Sequence, residues 1–417
     1  MSARLPFFTL DDFDLDGKTV LLRVDINCPI DPNTLEILDD TRIREHAQTV
    51  LELSERNAKT VVMAHQGRPG DSDFVSLNKH ADLLSKILGK PVQFVEEVFG
   101  PTARSAIAKL QPGEILLLEN LRFCSEEVIE KPPEEQAKTF LVRKLSPLGS
   151  VYVNDAFAAA HRSQPSIVGF PMVMPSAAGR VFEKEVSVLT KVLDASSEPR
   201  IFILGGSKIS DSVNIIEKLL ERNIAHKILL TGLLAMLFLH VQGHGVGRLT
   251  EITLERKGLY ALAHRVGGLL AKYGDKIVLP VDVAISSNGE RLEFPVGRTP
   301  ADAPAKDIGS QTIDLYKEEI ANAKTVVMRG PAGVIEDPLF CKGTEELVKA
   351  AAKSKAFTLF GGGHLRVIAE KLGVSDGIDY ISTGGGAFLL FISGDSLPAI
   401  EALKKSFELF RDAVKGR

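Results

Sequence analysis

The sequence predicts an α/β protein of two doubly wound, parallel-sheet (Rossmann-like) domains separated by a hinge cleft. Three observations predict it. Short β-branched runs alternate with helical stretches through both halves of the chain. Most of those runs are continuously apolar rather than alternating, as strands buried on both faces are. The 417 residues also exceed the ~250–300 at which a single hydrophobic core stops growing.

In the first half the apolar runs lie at residues 19–26, 60–64, 92–95, 114–118 and 150–153. In the second half they lie at 200–204, 227–230, 276–283, 325–328, 357–360 and 380–382. The segments between them, such as 41–56 and 209–222, have helical periodicity. Pro171, Pro175 and Gly179 break the chain before an amphipathic helix at 182–193, and Ser196, Ser197 and Pro199 come after it. A first domain at 1–175, a connector at 176–200 and a second domain at 201–395 are therefore expected, with a last amphipathic helix within 396–417. No repeat of fixed period and no low-complexity tract interrupts this pattern.

Composition excludes several function classes. A net charge of −4 argues against a general nucleic-acid binder, whose footprint is a strong positive excess. Cys28, Cys124 and Cys341 are odd in number and widely spaced, which suits a reducing cytoplasm rather than a disulfide framework or zinc site. Residues 1–10 lack the charged and apolar regions of a signal peptide. The most apolar stretch, 228–239, is shorter than the ~20 residues that span a bilayer and reads as a buried strand entering a buried helix. A cytoplasmic monomer with no membrane or nucleic-acid partner is expected.

Ligands of open parallel sheets bind at the carboxyl ends of the strands. In the first half those ends deliver charge: Arg23 and Asp25 to Asn27 after the first run, His65-Gln66-Gly67-Arg68 after the second, Glu119 to Arg122 after the fourth, and Asp155 to Arg162 after the fifth. Arg42 opens the helix after the first run. Cations recurring at one sheet edge suit a small anion. In the second half the ends deliver glycine: Gly205-Gly206-Ser207-Lys208, Gly330-Pro331-Ala332-Gly333, Gly361-Gly362-Gly363 and Gly384-Gly385-Gly386. Glycine admits main-chain N–H groups to phosphate oxygens, and the next helix N-terminus favours negative charge. Gly17-Lys18-Thr19 is no P-loop, because the first glycine position holds Asp12, and residues 243–247 are no dinucleotide fingerprint. A basic site in one domain and a glycine site in the other suit phosphoryl transfer from a nucleotide to a small anion, work done by positioning and charge neutralisation. A carboxylate acceptor is already ionised at neutral pH, its pKa being roughly 4, and needs no general base.

These residues resemble the motifs of the phosphoglycerate kinases. Residues 23–29 resemble RVDxNxP, 65–69 HxGRP, 118–123 LENLRF, and 153–157 with 160–162 VNDAF…AHR. Residues 204–208 resemble LGGxK, 330–334 GPxGV and 382–387 STGGGA, in family order and with details similar to the archaeal branch. The resemblance implies reversible transfer between ATP and the carboxylate of 3-phosphoglycerate, yielding 1,3-bisphosphoglycerate and ADP, with Mg2+ carried by the nucleotide and no protein metal site. It implies a hinge, with the last helix packed back on the first lobe. It assigns Asp25, Ile26, Asn27, Arg42, His65, Gln66, Gly67, Arg68, Arg122 and Arg162 to 3-phosphoglycerate. Arg68, Arg122 and Arg162 would grip the 3-phosphate, Asp25 and Asn27 would orient the C2 hydroxyl, and Arg42 would lie near the reacting carboxyl. Lys208 would contact nucleotide phosphates and Glu336 the ribose. Gly361, Gly362, Gly363, His364, Gly384, Gly385 and Gly386 would line the nucleotide and the transferred phosphate, with Arg42, Gly362 and Gly385 at the chemical step.

Four positions depart from the family pattern. Ser212 stands where a second lysine is common, His364-Leu365 where Asp-Thr is common, Arg329 where Asn is usual, and Gln164 where His is usual. Arg329 either replaces part of the missing positive charge or pairs with a surface carboxylate. Two other readings of the same layout are a kinase for another small carboxylate and a non-catalytic, two-lobed anion-binding protein.

Overall fold

The computed structural model describes residues 5–206 and 208–415. The chain forms two compact units, Met1–Ser187 with Ser396–Arg417, and Val188–Asp395.

The first unit holds strands β1 (Phe8–Thr9), β2 (Thr19–Arg23), β3 (Lys59–Met63), β4 (Val92–Val95), β5 (Ile115–Leu118), β6 (Val151–Asn154) and β7 (Ser176–Ala178). They form one sheet in the order β1-β7-β6-β2-β3-β5-β4, with every pair parallel. Successive side chains divide between two cores. Val20, Leu22, Val62, Leu117 and Val153 enter one, and Leu21, Val61, Leu116 and Tyr152 enter the other. A strand must therefore be apolar at nearly every position, and each such side chain contributes roughly 1.5–3 kcal/mol on burial. The helices Thr41–Glu55, Asn78–Leu88 and Pro398–Lys415 cover the first face through residues such as Val50, Leu84 and Phe407. The helices Pro101–Lys109 and Phe140–Leu145 cover the second through Ile107 and Leu141. The C-terminal helix is fastened by Ala399 N–H on the Ala160 carbonyl at 3.1 Å and by Phe407, whose ring lies 4.8 Å from that of Phe8.

The second unit holds β8 (Arg200–Leu204), β9 (Lys227–Leu230), β10 (Ile277–Val278), β11 (Asp282–Ser287), β12 (Glu290–Pro295), β13 (Ala305–Ile308), β14 (Thr325–Arg329), β15 (Phe357–Gly361) and β16 (Tyr380–Ser382). Six form a parallel sheet in the order β10-β9-β8-β14-β15-β16. Strand order reverses between β8 and β14, which is the crevice where doubly wound sheets bind ligands. The apolar stretch at 228–239 divides between β9 and the buried helix Gly232–Val241. No described helix is long and apolar enough to cross a membrane.

Two expectations change. The run at 276–283 is not one strand. It breaks at Pro280, leaving β10 parallel to β9 while β11 joins an antiparallel sheet ordered β12-β11-β13. Asn288 and Gly289 turn β11 into β12 with φ of 51° and 82°, the Asn-Gly pair that a two-residue hairpin favours. The segment 176–200, expected as a connector with a helix at 182–193, holds that helix at Arg180–Leu193 and in addition the strand β7. Its first part belongs to the first unit through β6–β7 pairing.

Candidate active site

In the first unit the ends of β2, β3, β5 and β6 carry a connected polar network. Arg23, the last residue of β2, is fully buried. Its Nε donates to Ser166 Oγ at 2.8 Å, and its Nη2 lies 2.9 Å from His65 Nδ1. Ser166 also bonds Glu127, whose carboxylate is 3.9 Å from Arg23. A guanidinium only donates, so His65 Nδ1 accepts and the neutral ring carries its proton on Nε2. Burial first, and the Arg23 charge second, hold His65 well below its ordinary pKa, so it stays neutral at physiological pH.

Arg42, the second residue of its helix, reaches Asp25 Oδ2 at 2.5 Å. Burial alone would raise the Asp25 carboxyl, but the Arg42 charge outweighs it and holds the group well below the usual carboxylate range. Asn27 N–H donates to Asp25 Oδ1 at 3.2 Å, and Asn27 Oδ1 accepts from Gly67 N–H at 3.0 Å. Gly67 has φ of +63°, and a Cβ there would lie 2.5 Å from the Asp73 main chain, so only glycine fits.

Asn120 ties two loops together. Its Oδ1 accepts from Gln66 N–H at 3.2 Å and Arg122 N–H at 3.1 Å, and its Nδ2 donates to the Gln66 and Val75 carbonyls at 2.8 and 2.9 Å. All four bonds that its amide can make are formed. Arg122 Nη1 donates to the Gly67 carbonyl. The result is a group of guanidiniums with few counter-charges. Burial first, then Arg162, Arg23 and Arg68 nearby, bring Arg122 down to about 10. Burial, then Arg68, lowers Arg162. Among the described residues neither Arg68 nor Arg162 has a side-chain hydrogen-bond or ion-pair partner. Cations that repel one another in a half-desolvated place favour a bound anion.

In the second unit a cavity of about 570 Å3 lies at the carboxyl ends of β8, β14 and β15. Lys208, Arg329, Gly361, Gly362 and His364 line it, together with Leu233, Met236, Pro304, Ile308, Val334 and Glu336. The turns after β8 and β14 touch: a Cβ on Gly330, whose φ is +75°, would lie 2.5 Å from the Gly205 carbonyl oxygen. The helices Ile209–Glu221 and Gly363–Lys371 begin beside this cavity, and the first N–H groups of a helix have no partner within it. An apolar enclosure joined to main-chain donors and cations suits a nucleotide, base at one part and phosphates at the other.

The family model described as phosphoglycerate kinase matches residues 10–395. The chain belongs to the phosphoglycerate kinase family. It is 49% identical over 400 residues to the phosphoglycerate kinase of Methanothermus fervidus, covering 96% of this chain and 97% of that one. It is 48% identical over 407 residues to that of Sulfurisphaera tokodaii, covering 97% of each. The crystal structure of the phosphoglycerate kinase from Pyrococcus horikoshii OT3 superposes with a TM-score of 0.90 at 41% identity, over 96% of this chain and 99% of that one. The structure of the phosphoglycerate kinase from Coxiella burnetii superposes with a TM-score of 0.78 at 30% identity, over 95% of this chain and 99% of that one.

Within this phosphoglycerate kinase fold the residues singled out from sequence divide unevenly. Asp25, Asn27, Arg42, His65, Gly67 and Arg122 belong to the hydrogen-bonded network, and Arg68 and Arg162 act on Arg122 through their charges. Ile26 is packed in the hydrophobic core, so its side chain is not open to a ligand. The Gln66 side chain is fully buried and occupied with Cys28, accepting from its N–H and donating to its carbonyl, both at 2.9 Å. Lys208, Glu336, Gly361, Gly362 and His364 line the cavity; Gly363, Gly384, Gly385 and Gly386 do not. The last three come after β16, which pairs beside β15 with Gly361 opposite Ser382, so that turn lies one strand further along.

Sequence reasoning missed the supporting residues. Arg23, Asn120, Glu127 and Ser166 carry no role in a motif reading, although Asn120 and Arg23 stand inside the quoted motifs. His46 Nδ1 lies 2.7 Å from Asp155 Oδ2, while Asp155 Oδ1 accepts from Val181 N–H at 2.8 Å. That carboxylate joins the helix of Arg42 to the start of the helix Arg180–Leu193, and no local pattern signals the connection. The apolar cavity residues Leu233 and Met236 looked like ordinary core.

Proposed function

We propose that this chain catalyses reversible phosphoryl transfer between ATP and the carboxylate of 3-phosphoglycerate. A carboxylate oxygen attacks the γ-phosphorus, the bond from that phosphorus to the ADP oxygen breaks, and 1,3-bisphosphoglycerate and ADP result. The observation that carries the substrate reading is the set of mutually repelling guanidiniums Arg68, Arg122 and Arg162. Together they match a phosphate dianion, which accepts several charge-assisted hydrogen bonds.

Asp25 and Asn27 orient the hydroxyl on C2. His65 offers its Nε2 proton as a neutral donor. Arg42 keeps donors beyond the one given to Asp25 and neutralises charge around the reacting carboxylate. In the second unit Lys208 and the main-chain N–H groups around Gly361 and Gly362 hold the phosphates, Glu336 the ribose, and the turn at Gly384–Gly386 the group in transfer. Mg2+ enters on the nucleotide's phosphates and neutralises charge there. The described residues hold no group of three or more His, Cys, Asp or Glu side chains arranged to bind it beforehand. The chain works as a monomer in the cytoplasm, where its three cysteines stay as free thiols.

The test is a coupled assay of acyl-phosphate formation from MgATP with 3-phosphoglycerate, glycerate or acetate. Turnover with 3-phosphoglycerate alone is expected, because glycerate and acetate lack the phosphate. Equal turnover with acetate would favour a kinase for another carboxylate. Binding of 3-phosphoglycerate without binding of MgADP would favour a binding protein. Because transfer needs both substrates in one water-free enclosure, the radius of gyration is expected to fall when both are bound and not with either alone.

A further inference from the structure

Arg329 ends β14 at the point where strand order reverses, with Leu204 of β8 opposite it on one side and Gly361 of β15 on the other. Its side chain lines the cavity with Lys208, Gly362 and His364. The other cations there are differently placed. Lys306 is paired with Asp337 at 3.2 Å and sits over the Phe340 ring, and Lys208 is exposed. Arg329 is partly buried, and among the described residues its side chain has no hydrogen-bond or ion-pair partner. Desolvation lowers its pKa, and the exposed Asp211 opposes this only through space. A surface carboxylate pairing, one of the two readings open from sequence, is therefore not formed among the described residues. Ser212 brings no charge, since its hydroxyl donates to the Lys208 carbonyl at 3.0 Å.

A guanidinium cannot shed its proton near neutral pH, so a desolvated one without a partner carries an uncompensated cost until an anion arrives. We propose that Arg329 is a further catalytic residue, a guanidinium that grips the terminal phosphates of the bound nucleotide. Its planar fork bridges two phosphate oxygens, which a point charge such as lysine does not do. During transfer it stabilises the negative charge that moves onto the oxygen linking the departing phosphoryl group to ADP. This inference rests on the proposed nucleotide site.

The experiment compares binding of MgADP and of adenosine, and turnover with 3-phosphoglycerate, in the full wild-type chain and in Arg329→Gln and Arg329→Lys. The glutamine variant is expected to bind MgADP about tenfold more weakly or worse and to lose turnover by more than that. Adenosine affinity and melting temperature should be unchanged. The lysine variant should fall between. Glutamine values for MgADP and turnover within twofold of wild type overturn the inference and leave the nucleotide site standing. Equal losses for adenosine and MgADP overturn it in favour of a structural role. A wild-type chain that binds neither overturns the site reading itself. Should the glutamine variant not fold, wild-type affinity and turnover in the lysine variant overturn the bridging contact, and reduced values in both support it.

Discussion

The two sites are built from opposite materials. The first unit presents charged and polar side chains, three of them held by a buried partner: Arg42 by Asp25, His65 by Arg23, Arg122 by the Gly67 carbonyl. The second presents main chain, brought close by glycine turns such as Gly205 against Gly330, beside an apolar cavity. The difference follows from the ligands proposed. A small, highly charged molecule has no apolar part to enclose, so charge and hydrogen bonds must hold it. A nucleotide has a base to bury and phosphates that main-chain N–H groups can meet. One site should therefore fail when atoms are removed and the other when atoms are added.

The largest effect is expected from Arg42→Ala. Turnover should fall roughly 10²–10³-fold, the range for losing one donor to developing charge, while MgADP affinity stays at the wild-type value. A matching loss of MgADP affinity, measured by calorimetry, would erase the contrast between the sites.

Gly330→Ala is the converse change. The added methyl meets the Gly205 carbonyl at a φ that side chains avoid. Strain of this kind costs about 1–3 kcal/mol, enough to weaken MgADP binding about tenfold or more by displacing the turn, while 3-phosphoglycerate affinity is kept. Wild-type MgADP binding in this variant would show that the close approach does not matter.

Ionic strength separates the sites more gently. Affinity for 3-phosphoglycerate should fall several-fold between low salt and about 0.5 M, where screening extends to within a few ångströms. Adenosine affinity should not change. Titrations at both salt levels check this, and parallel curves would break the comparison.

The smallest effect concerns stability. His65 is neutral when folded because its pKa is depressed, whereas the unfolded imidazole titrates near ~6.5. Below that pH the unfolded chain binds a proton that the folded chain refuses, so stability is full above it and declines as pH falls. Melting temperatures of wild type and His65→Asn should therefore converge between pH 7.5 and pH 5, by a few degrees. Asp25 contributes stability that is present above the unfolded carboxylate pKa of ~3.9 and lost as pH falls toward its depressed folded value.

Much of this protein was legible along the chain. Two-faced burial forces strands such as Ile115–Leu118 to be apolar throughout, so their positions could be read directly. Residues that come directly after a strand in sequence must also stand at its carboxyl end in space. That is why order along the chain was enough to place Arg23, His65, Arg122 and the glycine turns at sheet edges. Even the hairpin at Asn288-Gly289 had its signal, although β12 has no buried residue and no continuous apolar run. Family likeness then supplied the reaction.

Tertiary structure decided what depends on partners distant in sequence. Sequence named Gln66 and Ile26 as ligand residues; packing committed one side chain to Cys28 and the other to the core. The tautomer of His65 depends on Arg23, 42 residues away, and the Asp155 link on His46, 109 residues away. That the Arg329 side chain has no hydrogen-bond or ion-pair partner among the described residues could be seen only once its surroundings were assembled. Local order follows from short-range sterics and periodic burial, which one stretch of chain carries by itself. Protonation, pairing and desolvation belong to a place in the folded molecule, and several distant stretches must meet before that place exists.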